Sequence, residues 1–258
     1  MGENTLKERI YQAALPLLRG RTVTDLVIGI SMLAVELDGK DMAVSYVLRD
    51  NLRGGCSIFG YASEAVGMSA EEVGRWFVTG GDDIQRSIGG AVLTAASYAL
   101  NLQDTQEHGP FDLALRPGDK VGMVGNIHPV AMMLKKMGAE LLIFDKGQCA
   151  HGNAAEDIYP MERQAELLPA CDIVFLSGTT TVNGTLESLL KLCPRAREIL
   201  LVGASVPMIP EGFRDSGVTV LAGSWWDHRD KEEIFRRITR AAGMQGLKEF
   251  SIKKNVRI

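Results

Sequence analysis

The chain has 258 residues, 46% hydrophobic and 23% charged, which is the profile of a globular protein with a real core and room for one large domain or two ordinary ones. A net charge of -4 and a pI of about 5.7 give no field for gripping nucleic acid, and no run approaches the ~18–20 apolar residues needed to span a bilayer. The opening residues lack the apolar stretch of a secretory signal, and four well-separated cysteines (Cys56, Cys149, Cys171, Cys193) show no Cys-x-x-Cys spacing; a reducing, cytoplasmic compartment is expected.

Residues 5–18 read as an amphipathic helix. Thr5 and Glu8 form a capping box, Leu6, Ile10, Ala14 and Leu17 recur at helical spacing, and Pro16 limits how far it continues. LVIGISMLAVEL (26–37), the turn pair Asp38-Gly39 and MAVSYVL (42–48) predict a hairpin whose loop Lys40 and Asp41 lengthen. The Gly-rich stretch 50–67 reads as irregular. Ser69 and Glu72 then open a short helix to about Val78, Gly80-Gly81 breaks it, and Asp82 caps a longer one with Ile84, Ile88 and Val92 on one face.

The segment EHGPFDLALRPGD (107–119) marks a domain boundary, dividing the chain into 1–110 and 111–258. Beyond it the rhythm is strand–helix alternation: KVGMVGN, a helix from Pro129, AELLIFDK, a helical stretch near 161–168, DIVFLSG, a helix near 184–192, EILLVGAS, VTVLAGS and a final helix over 231–242. Five short, nearly all-apolar strands with intervening helices predict an α/β fold, a doubly wound parallel sheet covered on both faces.

Such sheets bind ligands past the carboxyl ends of their strands. The loop GTTTVNGT (178–185) sets Thr179, Thr180, Thr181 and Asn183 between a buried strand and a helix start, where backbone N–H groups favour an anion; one of these side chains could equally serve as a helix cap. After the first strand, Gly125, Asn126, His128 and Pro129 occupy the position of a dinucleotide fingerprint without its G-x-G-x-x-G text. Asp145 ends the second strand, where an acid binds ribose hydroxyls in nucleotide sites, and Ser205 follows a later strand. His128 could ligate a metal or shuttle a proton, and His151 stands two residues after Cys149. His108 lies in the linker segment and His228 near a strand end. Arg53 and Arg86 of the first domain could clamp a carboxylate or phosphate across an interdomain cleft, and Trp225-Trp226 could line a pocket or the core.

Four stretches, RSIGGAVLTAAS (86–97), VGMVGNIHP (121–129), LSGTTTVNGTLESLL (176–190) and LLVGASVPMIP (200–210), resemble the Putative heavy-metal chelation domain family of bacteria and archaea. The resemblance implies an enolase-N-terminal-like α+β first domain, a Rossmann-like second domain and a site between them. It carries Asn126, His128, Pro129, Thr179 to Thr181, Asn183 and Ser205 into that site. The leading expectation is a protein that holds a small anionic or metal-chelating molecule in the cleft, its transformation left open, in heavy-metal handling, with a divalent or transition metal as a candidate cofactor. No nucleophile–base pair names a reaction. Two alternatives stand beside it: an enzyme using NAD or S-adenosylmethionine with Asp145 on the ribose, and a non-enzymatic metallochaperone or ligand sensor. A homodimer is left open.

Overall fold

Caps written in the sequence start the first helices. Thr5 accepts the Glu8 N–H at the head of α1 (Leu6–Leu18). Ser69 does the same for Glu72 in α2 (Ala70–Thr79), and Asp82 for Gln85 in α3 (Asp83–Ala96). The computed structural model describes residues 5–49, 52, 58–105, 110–147 and 157–258.

The run 26–37 is two strands rather than one. β1 (Val23–Ile28) and β2 (Met32–Leu37) pair antiparallel, and β2 pairs with β3 (Asp41–Tyr46) through a turn in which Asp38 and Gly39 have φ of 54° and 67°. The extra corner falls at Gly29, where a Cβ would stand 2.3 Å from the Ile238 carbonyl oxygen. Only a glycine lets the chain turn against that backbone. Every residue of β2 is buried, because the meander is covered on both faces. Leu33, Val35 and Leu37 pack toward α1, α2 and α3. Met32 and Ala34 pack, with Met42 and Val44, against Ile234 and Ile238 of a helix far along the chain, Lys231–Thr239.

The second half contributes β4 (Lys120–Val124), α4 (His128–Lys136), β5 (Glu140–Phe144), β6 (Ile158–Tyr159), α5 (Gln164–Leu167), β7 (Ile173–Ser177), α6 (Thr179–Val182), α7 (Leu186–Lys191), β8 (Glu198–Val202), β9 (Val220–Trp226), α8 (Lys231–Thr239), α9 (Met244–Leu247) and β10 (Ser251–Arg257). Six strands run parallel in the order β9-β8-β7-β4-β5-β6, and β10 lies antiparallel on β9. Counted from β4, this is the 3-2-1-4-5-6 arrangement of doubly wound sheets, whose direction of winding reverses between β4 and β7. The meander joins the same sheet through the pairing of Met42 with Trp226. Among the described residues the result is one mixed, mostly parallel sheet of ten strands flanked by helices.

Alternation along the strands sorts residues to two faces. Val121, Met123, Ile143 and Phe175 pack with Val130, Ala131 and Leu134 of α4. Val124, Phe144, Val174 and Leu176 face the other way and share one core with α1, α2, α3 and α7. A fully buried Leu, Ile or Phe in such a core contributes about 1.5–3 kcal/mol. That core runs across the boundary expected at 110/111, and α8 returns to cover the first-half meander instead of the parallel sheet.

Candidate functional site

The point where the winding reverses is built from small residues. Directly after β4 comes Gly125, whose φ of +84° suits glycine; a Cβ there would stand 3.0 Å from the Cβ of Ser177, the last residue of β7. The loops after β4 and β7 therefore lie side by side at the carboxyl edge of the sheet. Gly125 continues the ladder by donating its N–H to the Phe144 carbonyl at 2.8 Å, and the next amide, of Asn126, donates to the Asp145 carboxylate at 2.7 Å. Ser177 Oγ and Thr179 Oγ1 lie 2.9 Å apart on the facing loop. His128 and Pro129 form the exposed first turn of α4, which has no side-chain cap. Gly125, Asn126, Asp145 and Thr179 are thus brought to one edge, with His128 and Pro129 on the turn that follows.

The rest of the GTTTVNGT loop is a helical turn rather than an open anion cradle. Thr180 Oγ1 donates to the Ser177 carbonyl at 2.8 Å and Thr181 Oγ1 to the Gly178 carbonyl at 2.7 Å, both side chains being buried. Asn183 Oδ1 accepts from the N–H and hydroxyl of Thr185, at 3.1 and 2.8 Å, and so shapes the start of α7. This is the cap role that competes with ligand binding for such residues.

Ser205 and Arg86 tie the two halves together. Ser205 Oγ accepts from the Ser45 hydroxyl and from the Tyr46 N–H, each at 2.9 Å, and is buried. Arg86 donates Nε to the Val182 carbonyl at 2.9 Å and Nη1 to the Gly80 carbonyl at 2.7 Å, while Nη2 pairs with the buried carboxylate of Asp83. Its fork meets protein oxygens on every side shown, so the guanidinium positions the loop containing Val182. Arg53, with Cys56, His108, Cys149 and His151, lies outside the described residues. His228 bonds the buried Glu36 at 2.7 Å, and the Trp225 ring stacks on Tyr98 with its N–H on Ser97, so both belong to the scaffold.

Sequence reasoning missed Ser177, which ends an apolar strand and signals only by its polarity there. It also missed Lys7, whose place beside Val182 has no local signature.

A resident metal centre does not fit the described residues. Among them, no three His, Cys, Asp or Glu side chains gather as ligands would, so His128 lacks companions of that kind. The buried thiols of Cys171 and Cys193 are pushed up to about 12 and about 11 by burial, far from the thiolate a metal requires. No helix among the described residues is long and apolar enough to cross a membrane.

Two family models, both described as Putative heavy-metal chelation, match residues 11–97 and 109–257. The uncharacterized protein MJ0500 of Methanocaldococcus jannaschii is 31% identical over 165 residues, a stretch that spans 62% of each chain. Two crystal structures of DUF364-family proteins of unknown function share the fold. The one from Pyrococcus horikoshii superposes with a TM-score of 0.79 at 23% identity, covering 98% of this chain and 100% of that one. The one from Desulfitobacterium hafniense does so with 0.75 at 21%, covering 96% and 98%. With the second model matching more than half of its length, the chain belongs to the DUF364 family, described as Putative heavy-metal chelation.

Proposed function

We propose that the chain binds a small anionic or metal-chelating molecule at the carboxyl edge of its parallel sheet, over the crossing between β4 and β7, as part of heavy-metal handling. The observation that carries this reading is the seating of Gly125 directly against Ser177, which brings the two loops edge to edge with only the small Ser177 side chain between them. The Ser177 and Thr179 hydroxyls, the Asn126 amide group and the uncapped first turn of α4 supply the polar contacts. A metal would arrive as cargo on its chelator, because the described side chains form no cage of their own.

A second reading, an enzyme with NAD or S-adenosylmethionine in a Rossmann-like site, is favoured by one observation. Asp145 directly follows β5, the strand beside β4 in a 3-2-1-4-5-6 sheet, the place where a carboxylate meets a ribose.

A thermal-shift panel separates the two. Citrate or its nickel complex is expected to raise Tm in the wild type, with the affinity about tenfold weaker in Thr179→Val for loss of one hydroxyl contact. A shift with NAD or S-adenosylmethionine that Asp145→Ala abolishes would establish the second reading. No shift with any of them at millimolar concentration would sink both.

A further inference from the structure

A cavity of about 290 Å³ lies between the start of α1, the end of α2 and the turn that leads into α7, with Thr180 and Thr181 of the threonine loop in its wall. Ile10, Val78 and Leu186 make much of its wall apolar, Thr181 and Glu187 belong to the lining, and Lys7 lines it as well. The Lys7 amine donates to the Val182 carbonyl at 3.0 Å and lies 5.5 Å from the centre of the Phe77 ring.

The charges near Lys7 are balanced. Arg86 is beside it, and the carboxylates of Asp83 and Glu187 oppose the two cations. The Arg86 fork is engaged by Val182, Gly80 and Asp83, and the Thr180 and Thr181 hydroxyl protons by backbone carbonyls. With its charges balanced and those donors engaged, the cavity has little to hold an anion, and its apolar wall suits a largely apolar neutral molecule. Burial, followed by the neighbouring Arg86, pushes the Lys7 ammonium down to about 8, so about a tenth is free amine at pH 7, far more than for an ordinary lysine. An amine desolvated in an apolar pocket beside another cation is the usual setting of a nucleophilic lysine.

We propose that this cavity is a carbonyl site in which the Lys7 amine condenses with a small, largely apolar aldehyde or ketone. The amine lone pair forms the C–N bond while the carbonyl π pair moves to oxygen. The oxygen takes up protons, two from the nitrogen in all by way of solvent, and leaves as water. A neutral imine remains, with no oxidant or reductant consumed. The cavity volume sits at the small end of ligand pockets and fits a compound of a few carbons.

The test uses the full chain with butanal and sodium cyanoborohydride, which reduces the imine to a stable secondary amine, followed by peptide mapping by mass spectrometry. Lys7 is expected to be alkylated about tenfold faster than the exposed Lys40 and Lys136, with a rate that saturates in butanal. Glyoxylate, small but anionic, should show no such preference. Val78→Phe, a change at a half-buried wall position, should slow Lys7 labelling about tenfold and leave Lys40 unchanged. Labelling of Lys7 at the Lys40 rate, a rate linear in butanal, or a Val78→Phe protein that labels as the wild type would each overturn the proposal.

Discussion

Single residues explain where charge sits inside this molecule. Glu36 is 2% exposed near the end of β2, yet it is surrounded by donors: Thr24 Oγ1 at 2.7 Å, His228 Nε2 at 2.7 Å and Lys231 Nζ at 2.9 Å. Burial pushes its carboxyl up, but the hydrogen bonds from Thr24, Lys231 and His228 together hold it below the usual value. A carboxylate depressed in the folded state contributes stability that is full above its unfolded pKa and is lost as pH falls through its folded one. Glu36→Gln should therefore destabilise the chain by about 2–3 kcal/mol at neutral pH, a gap that closes in acid below the ordinary carboxylate range. Urea unfolding of both proteins near pH 7 and near pH 3 checks this; a gap of the same size at both would show that the loss is steric and not electrostatic. In the threonine loop the hydroxyls likewise divide between the sheet edge and the interior of the turn. Thr179 has its hydroxyl at the sheet edge beside Ser177, whereas those of Thr180 and Thr181 close on backbone oxygens within the turn.

Among the elements, close approach decides more than propensity. α2 and α3 cross so tightly that a Cβ on Gly89 would fall 2.2 Å from the Phe77 nitrogen. Helix propensity alone gives Gly→Ala a gain of about 1 kcal/mol in the middle of a helix. Here the added methyl meets backbone that has no room to move, so Gly89→Ala should instead lose about 2–3 kcal/mol. A fall in the urea midpoint with an unchanged slope is the expected reading, and a rise would mean that the two helices are less closely packed. The helix starts were legible because their caps are local: Thr5 with Glu8, Ser69 with Glu72, and Asp82 each announce a boundary within three or four residues. The split of 26–37 into β1 and β2 was not legible in the same way. Both faces of β2 are buried, so alternation is erased, and the corner depends on the backbone of Ile238, a partner more than 200 residues away.

At the scale of the whole molecule, the apolar strands foretold the parallel sheet, and their ends foretold which loops meet. Gly125, Asn126, Asp145 and Thr179 were all legible from their position past a buried strand, since doubly wound topology carries those positions to one edge. What a linear reading does not contain is the third dimension of the helical layer: α8 crossing to the meander, Arg86 reaching Val182, and Ser205 meeting Ser45. These contacts lock the first half over the sheet and leave the β4–β7 crossing as the place where small residues and polar groups converge. Ligand binding there is tested most directly by a crystal of the full chain soaked with nickel–citrate. The expected result is difference density, with an anomalous nickel peak, over Gly125, Asn126 and Thr179. A clean edge at saturating soak, or a chelate held only at a site remote from β4 and β7, would contradict it.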